Sequence, residues 1–406
     1  MNSTPATTMT AAEPGLGRDW HLLISAGTVS MLGDGAFLAA LPLLAATMTH
    51  DPGVIAGITV WGSLPWLLAA LPMGAFADRY DARRTATAAQ VVQAALVALL
   101  AGAATVGAGG ITLVYAVAFA VGLAETLAHI SLQKLVPAVV PAARLEAANG
   151  RQHAALFSSR QFVGPPLGAL LFTVAVGLPF WVDAFTFAVS AVLVWRIRAT
   201  TPVTRRETSL LAGIGEGVRW LAGNRLLRTL ALLSGVANLA NFLAMATFVL
   251  FAKQVLGLDD IGYGVVLGLM AVGGITGALI SGRAVGWAGG RRTVTFTLFA
   301  TPLAMLAVGL FARDVVTVAA LAFVTSFGAA LWNVAAGSLR QRTVPGALLG
   351  RVSSAGLMVT WGAQPLGAYL GGLTATWWGL SAVWVVAALL RLLAATAALP
   401  ALREWR

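Results

Sequence analysis

The chain has 406 residues, is 58% hydrophobic and only 10% charged, and contains no cysteine. Its mean hydropathy is +0.84, and a soluble domain carries roughly 25% charged residues, so this chain lacks the polar surface to face water on all sides. Without thiols, disulfides and cysteine-ligated metal sites are excluded. The net charge of +11 does not gather into a basic stretch interleaved with aromatics. Lys and Arg recur between apolar runs instead, as in loops on one side of a membrane, so no nucleic acid partner is expected.

Residues 1–20 are polar and carry Glu13, Arg18 and Asp19. The apolar run at 21–48 is longer than a signal-peptide core and is followed by many others, so it reads as a retained first span. About 20 apolar residues cross the hydrocarbon as a helix. On that measure the predicted spans are 21–46, 53–77, 84–107, 111–135, 152–176, 180–198, 227–252, 262–284, 292–312, 315–338, 352–374 and 380–399. Twelve spans place both termini on one side. Arg18, Arg79, Arg83, Arg84, Arg291, Arg292, Arg403 and most other basic residues fall there, whereas the opposite side has only Lys253 and Arg313 beside Asp51, Asp259, Asp260 and Asp314. The positive-inside rule then makes both termini cytoplasmic in a multi-pass cell-membrane protein.

The two halves repeat one another. Arg83-Arg-Thr85 returns as Arg291-Arg-Thr293, and Gln133-Lys-Leu-Val-Pro137 as Gln341-Arg-Thr-Val-Pro345. Gly150-Arg151 and Pro166-Leu-Gly-Ala169 return as Gly350-Arg351 and Pro365-Leu-Gly-Ala368. Each match is displaced by close to half of the chain, which reads as two six-helix lobes related by an axis along the membrane normal. The predicted organisation is an N-terminal tail (1–20), an N-lobe (21–198), a cytoplasmic linker (199–225), a C-lobe (226–400) and a C-terminal tail (401–406). Within the linker, the alternation of 210–221 suits a short helix at the membrane surface with Trp220 as its anchor.

The knot Gly74-Ala-Phe-Ala-Asp78-Arg79-Tyr-Asp81-Ala-Arg83-Arg84 resembles the loop between the second and third spans of the major facilitator superfamily. Asp81 stands where that family usually has Gly, and Ala82 where it has a basic residue. Gly164-Pro165-Pro166-Leu-Gly168 resembles the fifth-span motif of drug–proton antiporters, with Arg151 and Arg160 in place of upstream glycines. Ser30-Met-Leu-Gly-Asp34, Leu135-Val-Pro137, Ala147-Ala-Asn149 and Phe180-Trp-Val-Asp183-Ala184 are similar to the macrolide-efflux and enterobactin-exporter branch. The resemblance implies an all-α fold of twelve transmembrane helices in two pseudo-symmetric six-helix lobes. It also implies a cytoplasmic gate at Gly74, Asp78, Arg79, Arg83 and Arg84. There Asp78 docks near the start of the eleventh span, about Gly350 to Ser354, when the lobes close; a carboxylate gains from a helix N-terminus.

Charges inside a membrane are functional suspects. Asp34 lies about 18 Å into the first span and Arg160 about 15 Å into the fifth. Glu125 and His129 share a face of the fourth. A proton-coupled exporter needs a carboxylate that holds a proton in one state and releases it in the other, and Asp34, Glu125, Arg160 and His129 are the coupling candidates. The alternative is a permanent Asp34–Arg160 or Glu125–Arg160 pair that holds the lobe together. Gly164, Pro165, Gly168, Pro365 and Gly367 form the expected sliding surface between lobes. Asn238, Asn241 and Asn333 are the candidates for the substrate cavity, Asp183 reads as a helix cap near the outer end of the sixth span, and Arg391 as a snorkelling side chain.

Glu125 and His129 give only two metal ligands without a third, so no metal is expected. No phosphate-binding Gly-x-x-x-x-Gly-Lys-Ser/Thr loop is present, so neither ATP nor another cofactor is expected. Clustered ligands or a nucleophile–base pair of an enzyme are not seen. The reading is a secondary transporter that rocks two lobes around a central site, exporting hydrophobic or amphiphilic compounds of drug type against inward proton flow. The alternatives are an exporter of a dedicated metabolite such as a siderophore, an uptake symporter and a non-transporting membrane protein. Its partners are a small-molecule substrate, protons and the bilayer, and a monomer is the expected state.

Overall fold

The computed structural model describes residues 17–141, 144–199, 210–312, 314–344 and 346–404. Residues 1–16 of the predicted tail 1–20 and the linker residues Pro202, Arg205, Arg206 and Glu207 lie outside them. Among the described residues all regular structure is helical. In chain order the helices are α1 (Arg18–Met48), α2 (Pro52–Arg79), α3 (Ala82–Thr105), α4 (Ile111–Val139), α5 (Leu145–Ser158), α6 (Gly164–Val174), α7 (Leu178–Trp195) and α8 (Leu210–Gly223). They continue as α9 (Arg225–Met245), α10 (Phe248–Leu250), α11 (Asp260–Ala288), α12 (Gly290–Phe311), α13 (Val315–Thr343), α14 (Gly346–Trp378) and α15 (Leu380–Leu402). Ten have the length and composition of a membrane span. The interrupted rod α5–α6 and the long α14 supply the remaining two of the predicted twelve.

The rod α5–α6 is interrupted for a local reason. Pro165 and Pro166 offer no backbone N–H and would clash with the carbonyls one turn back. Ser159–Val163 relax into a wider π-type turn in which the Gly164 N–H reaches back to the Ser159 carbonyl. The short inter-helix loops are closed by acids. Asp51, Asp81, Asp259 and Asp314 each accept backbone N–H bonds at the start of α2, α3, α11 and α13. Asp81, where the superfamily usually has Gly, accepts from Arg84 N at 3.0 Å and so fixes where α3 begins. Gly289 and Gly379, with φ of 80° and 87°, turn the chain between α11 and α12 and between α14 and α15 in a conformation that other residues rarely take.

The halves use the same helix pairings. α1 lies on α6 and α7, α3 on α4 and α7, and α2 on α4. Correspondingly α9 lies on α14 and α15, α12 on α13 and α15, and α11 on α13. Among the described residues the largest contacts between halves are α2 on α14 and α6 on α11, which are equivalent under the repeat. Large apolar side chains point outward, including Trp287, Leu279, Phe185 and Trp377. Such a surface suits lipid rather than water.

Candidate functional site

A polar cluster sits inside the N-terminal half where α1, α4, α7 and the π-type turn converge. Asp34, 5% exposed, projects from the middle of α1 between two glycines. A Cβ on Gly33 would run into the side chains of Asp183 and Thr186 on α7, and one on Gly35 into the Arg160 carbonyl and Gly164 Cα. The Gly33-Asp34-Gly35 stretch therefore lets α1 wedge between α7 and the π-type turn. That turn aims Arg160 at Glu125 of α4, and the two form a hydrogen-bonded ion pair. Arg160 Nη1 also lies 3.8 Å from Met31 Sδ.

Asp183 completes the cluster and corrects an expectation. The residue preceding α7 is Gly177, and Asp183 lies within the helix, fully buried rather than capping its outer end. Thr186 Oγ1 donates to the Asp183 carbonyl at 2.8 Å and faces Asp183 Oδ1 at 3.3 Å. Asp183 Oδ2 and Asp34 Oδ2 are buried without hydrogen-bond partners. Asp34, Glu125, Arg160 and Asp183 all lie within electrostatic reach of one another. Three carboxyl groups thus share a single guanidinium. The signal in the sequence was an acid inside the uniformly apolar run Phe180-Trp-Val-Asp183-Ala-Phe185.

The other candidates are placed as follows. His129 stands a turn below Glu125 with its Nε2 3.1 Å from Gln133 Nε2 and its ring edge-on to Trp66. The glycines expected to line the sliding surface between lobes face inward within each half instead. Gly164 and Gly168 press on Gly35 and the Ala36 carbonyl of α1, and Gly367 on the Leu239 carbonyl of α9. Contact between halves is made by neighbouring positions: Phe162, Pro166 and Ala169 meet Gly274, Gly268 and Gly264 of α11, and Gly372 meets Gly53 and Ala56 of α2. The correction follows from helix geometry, because Gly164 and Gly168, four residues apart, share one side of the rod while Pro166 and Ala169 share the other.

Of the gate residues, Arg83 donates to the Ile197 carbonyl at 2.9 Å and stacks over Trp195, which ties α3 to the end of α7. Arg79 and Arg84 are exposed and Gly74 half-buried. The side chains of Asp78, Arg351, Ser353 and Ser354, on which the expected docking depends, lie outside the described ones. Asn333 lines a cavity of the C-terminal half. Asn238 donates back to the Ser234 carbonyl at 3.3 Å, and Asn241 is exposed. Arg391 turns to Met305 Sδ at 3.7 Å.

A model of the Major Facilitator Superfamily matches residues 23–362 of the sequence. The chain belongs to this superfamily. It is 28% identical to the multidrug efflux pump Tap of Mycolicibacterium fortuitum over 94% of its own length and 96% of that protein's. Among solved structures it resembles a bacterial homologue of the human lysosomal transporter Spinster in an inward-facing, occupied conformation. There the TM-score is 0.74 at 12% identity, over 97% of this chain and 98% of that one. The nucleoside transporter NupG gives a TM-score of 0.71 at 13% identity, over 96% and 100%. This superfamily member is thus a multi-pass membrane transporter by fold and family.

Proposed function

We propose that this transporter exports hydrophobic or amphiphilic small molecules of drug type in exchange for protons. The observation that carries the proposal is the buried cluster of Asp34, Asp183 and Glu125 around the one guanidinium of Arg160. A net charge enclosed among membrane helices is expensive, so the cluster takes up protons when it is shut off from water and releases them when the halves rearrange. Glu125 is engaged by Arg160, which leaves Asp34 and Asp183, with their unpartnered oxygens, as the groups that exchange. The similarity to a protein named as a multidrug efflux pump supports the choice of cargo.

The conformational cycle is read from the same contacts. With both termini cytoplasmic, Gly53, Ala56, Gly264 and Gly372 lie in the outer half of the membrane, and there the two halves touch. These contacts support reading the arrangement as an inward-open state. In the opposite state Asp78 would dock at the start of α14, and the polar groups of the gate would close the cytoplasmic side.

Purified protein in proteoliposomes under an imposed pH gradient, given lipophilic cations, macrolides and siderophores in turn, tests the reading. The expected result is substrate-triggered proton flux that is lost in Asp34→Asn and displaced along the pH axis in Asp183→Asn. Unchanged flux in both variants would remove the acid cluster from coupling. A response to siderophores alone would move the cargo to a dedicated metabolite.

A further inference from the structure

The C-terminal half holds a cavity that is separate from the acid cluster and has the opposite chemistry. It has a volume of about 110 Å³ and is lined by residues of α8, α9, α13 and α14. Leu227 and Leu230 form part of its apolar wall, and Ser234, Asn333, Arg340 and Thr360 its polar wall. Trp332 Nε1 donates to Ser234 Oγ at 3.3 Å, and Thr360 Oγ1 to the Gly356 carbonyl at 3.0 Å, so both groups are oriented. Arg340 Nε, in contrast, is buried and has no hydrogen-bond partner.

Among the described side chains no carboxylate is seen bonded to Arg340. Between Asp260 and Glu404 the only acidic residue is Asp314. It precedes the first turn of α13 while Arg340 sits in the last, so the two are about 39 Å apart at about 1.5 Å per residue. Glu216 of α8 is exposed. Arg340 sits in the last turn of α13 with its Nε buried and unpartnered, and the planar fork of a guanidinium fits a phosphate or carboxylate in two-point contact. Leu227 and Leu230, which line the same cavity, offer an alkyl chain an apolar surface.

We propose that this cavity binds an anionic amphiphile, with a phosphate or carboxylate head on Arg340 and Asn333 and a hydrocarbon tail against Leu227 and Leu230. The occupant comes either from the anionic lipid of the surrounding leaflet or from acidic, hydrophobic cargo. Binding at the site is independent of proton coupling; only the assignment of its occupant as cargo rests on the efflux reading.

Binding of decyl phosphate to the full-length protein in phosphatidylcholine nanodiscs, followed by calorimetry, tests this without any transport. Arg340→Gln is expected to weaken binding about tenfold or more, and Arg340→Lys less. Gly356→Leu keeps the charge but fills the space beside Arg340 Nη1, and should also abolish binding. Melting curves of each variant confirm folding. A second set of nanodiscs includes phosphatidylglycerol. Competition by that lipid, and its retention by wild type but not by Arg340→Gln in mass spectrometry, identifies the lipid as occupant; decyl phosphate binding that ignores it identifies cargo. Equal affinity of wild type, Arg340→Gln and Gly356→Leu for decyl phosphate would overturn the proposal.

Discussion

Arg160 occupies a position that is chemically demanding in a membrane, and its pairing decides what its removal does. Its partner Glu125 has a side chain only 14% exposed. Arg160→Ala would strand that carboxylate among apolar helices, and breaking a buried pair from one side costs about 3 kcal/mol. The expected outcome is a clear fall in thermal stability in detergent. Arg160→Gln combined with Glu125→Gln should recover part of it, because two neutral amides can bond to each other. If the single and double variants melt alike, the pair does not hold α4 to the π-type turn. Asp34 and Asp183 behave differently at this scale, since each has an oxygen without a partner and their loss leaves no stranded charge.

At the scale of the helices, small residues set how closely rods approach. Gly168 lies on the Ala36 backbone of α1, and Gly371 on the Leu243 backbone of α9, so each half fastens its first helix to its fifth by the same means. The obstacle at both places is backbone, which cannot rotate away. Gly168→Ala and Gly371→Ala should each destabilise by about 1–3 kcal/mol, read as a lowered melting temperature. Gly102→Ala on α3, where a Cβ meets nothing within 4 Å, should be neutral or slightly stabilising. A destabilised Gly102→Ala beside an unaffected Gly168→Ala would contradict the packing described.

For the whole molecule, the contact of α2 with α14 between halves suggests a lock. Ala56 of α2 and Gly372 of α14 face one another, with a Cβ on Gly372 falling 2.9 Å from that of Ala56, and the chain has no native cysteine to interfere. Ala56→Cys with Gly372→Cys should cross-link under mild oxidation once the helices ease apart slightly, since a disulfide holds its Cβ atoms about 3.5–4.5 Å apart. Substrate transport should stop on oxidation and return on reduction. Transport that continues in the fully cross-linked protein would show that this face need not open, and would sink alternating access by separation of α2 from α14.

The sequence by itself determined the class of molecule. Composition demanded a bilayer, run length counted the spans, and the internal repeat paired the halves, because each depends on residue chemistry along the chain and not on what lies across from it. It also singled out Asp34, Glu125 and Arg160, since a charge within an apolar run is conspicuous wherever the helices go. Partners were decided only in three dimensions. Asp183 reads as a cap until α1 is seen to bring Gly33 against it, and the motif glycines read as a sliding surface until the rotation of the rod turns them inward. The same holds for Arg340. In the sequence it is one more basic residue near a helix end, and only the packing of α8, α9, α13 and α14 around it buries its Nε, without a hydrogen-bond partner, beside a cavity.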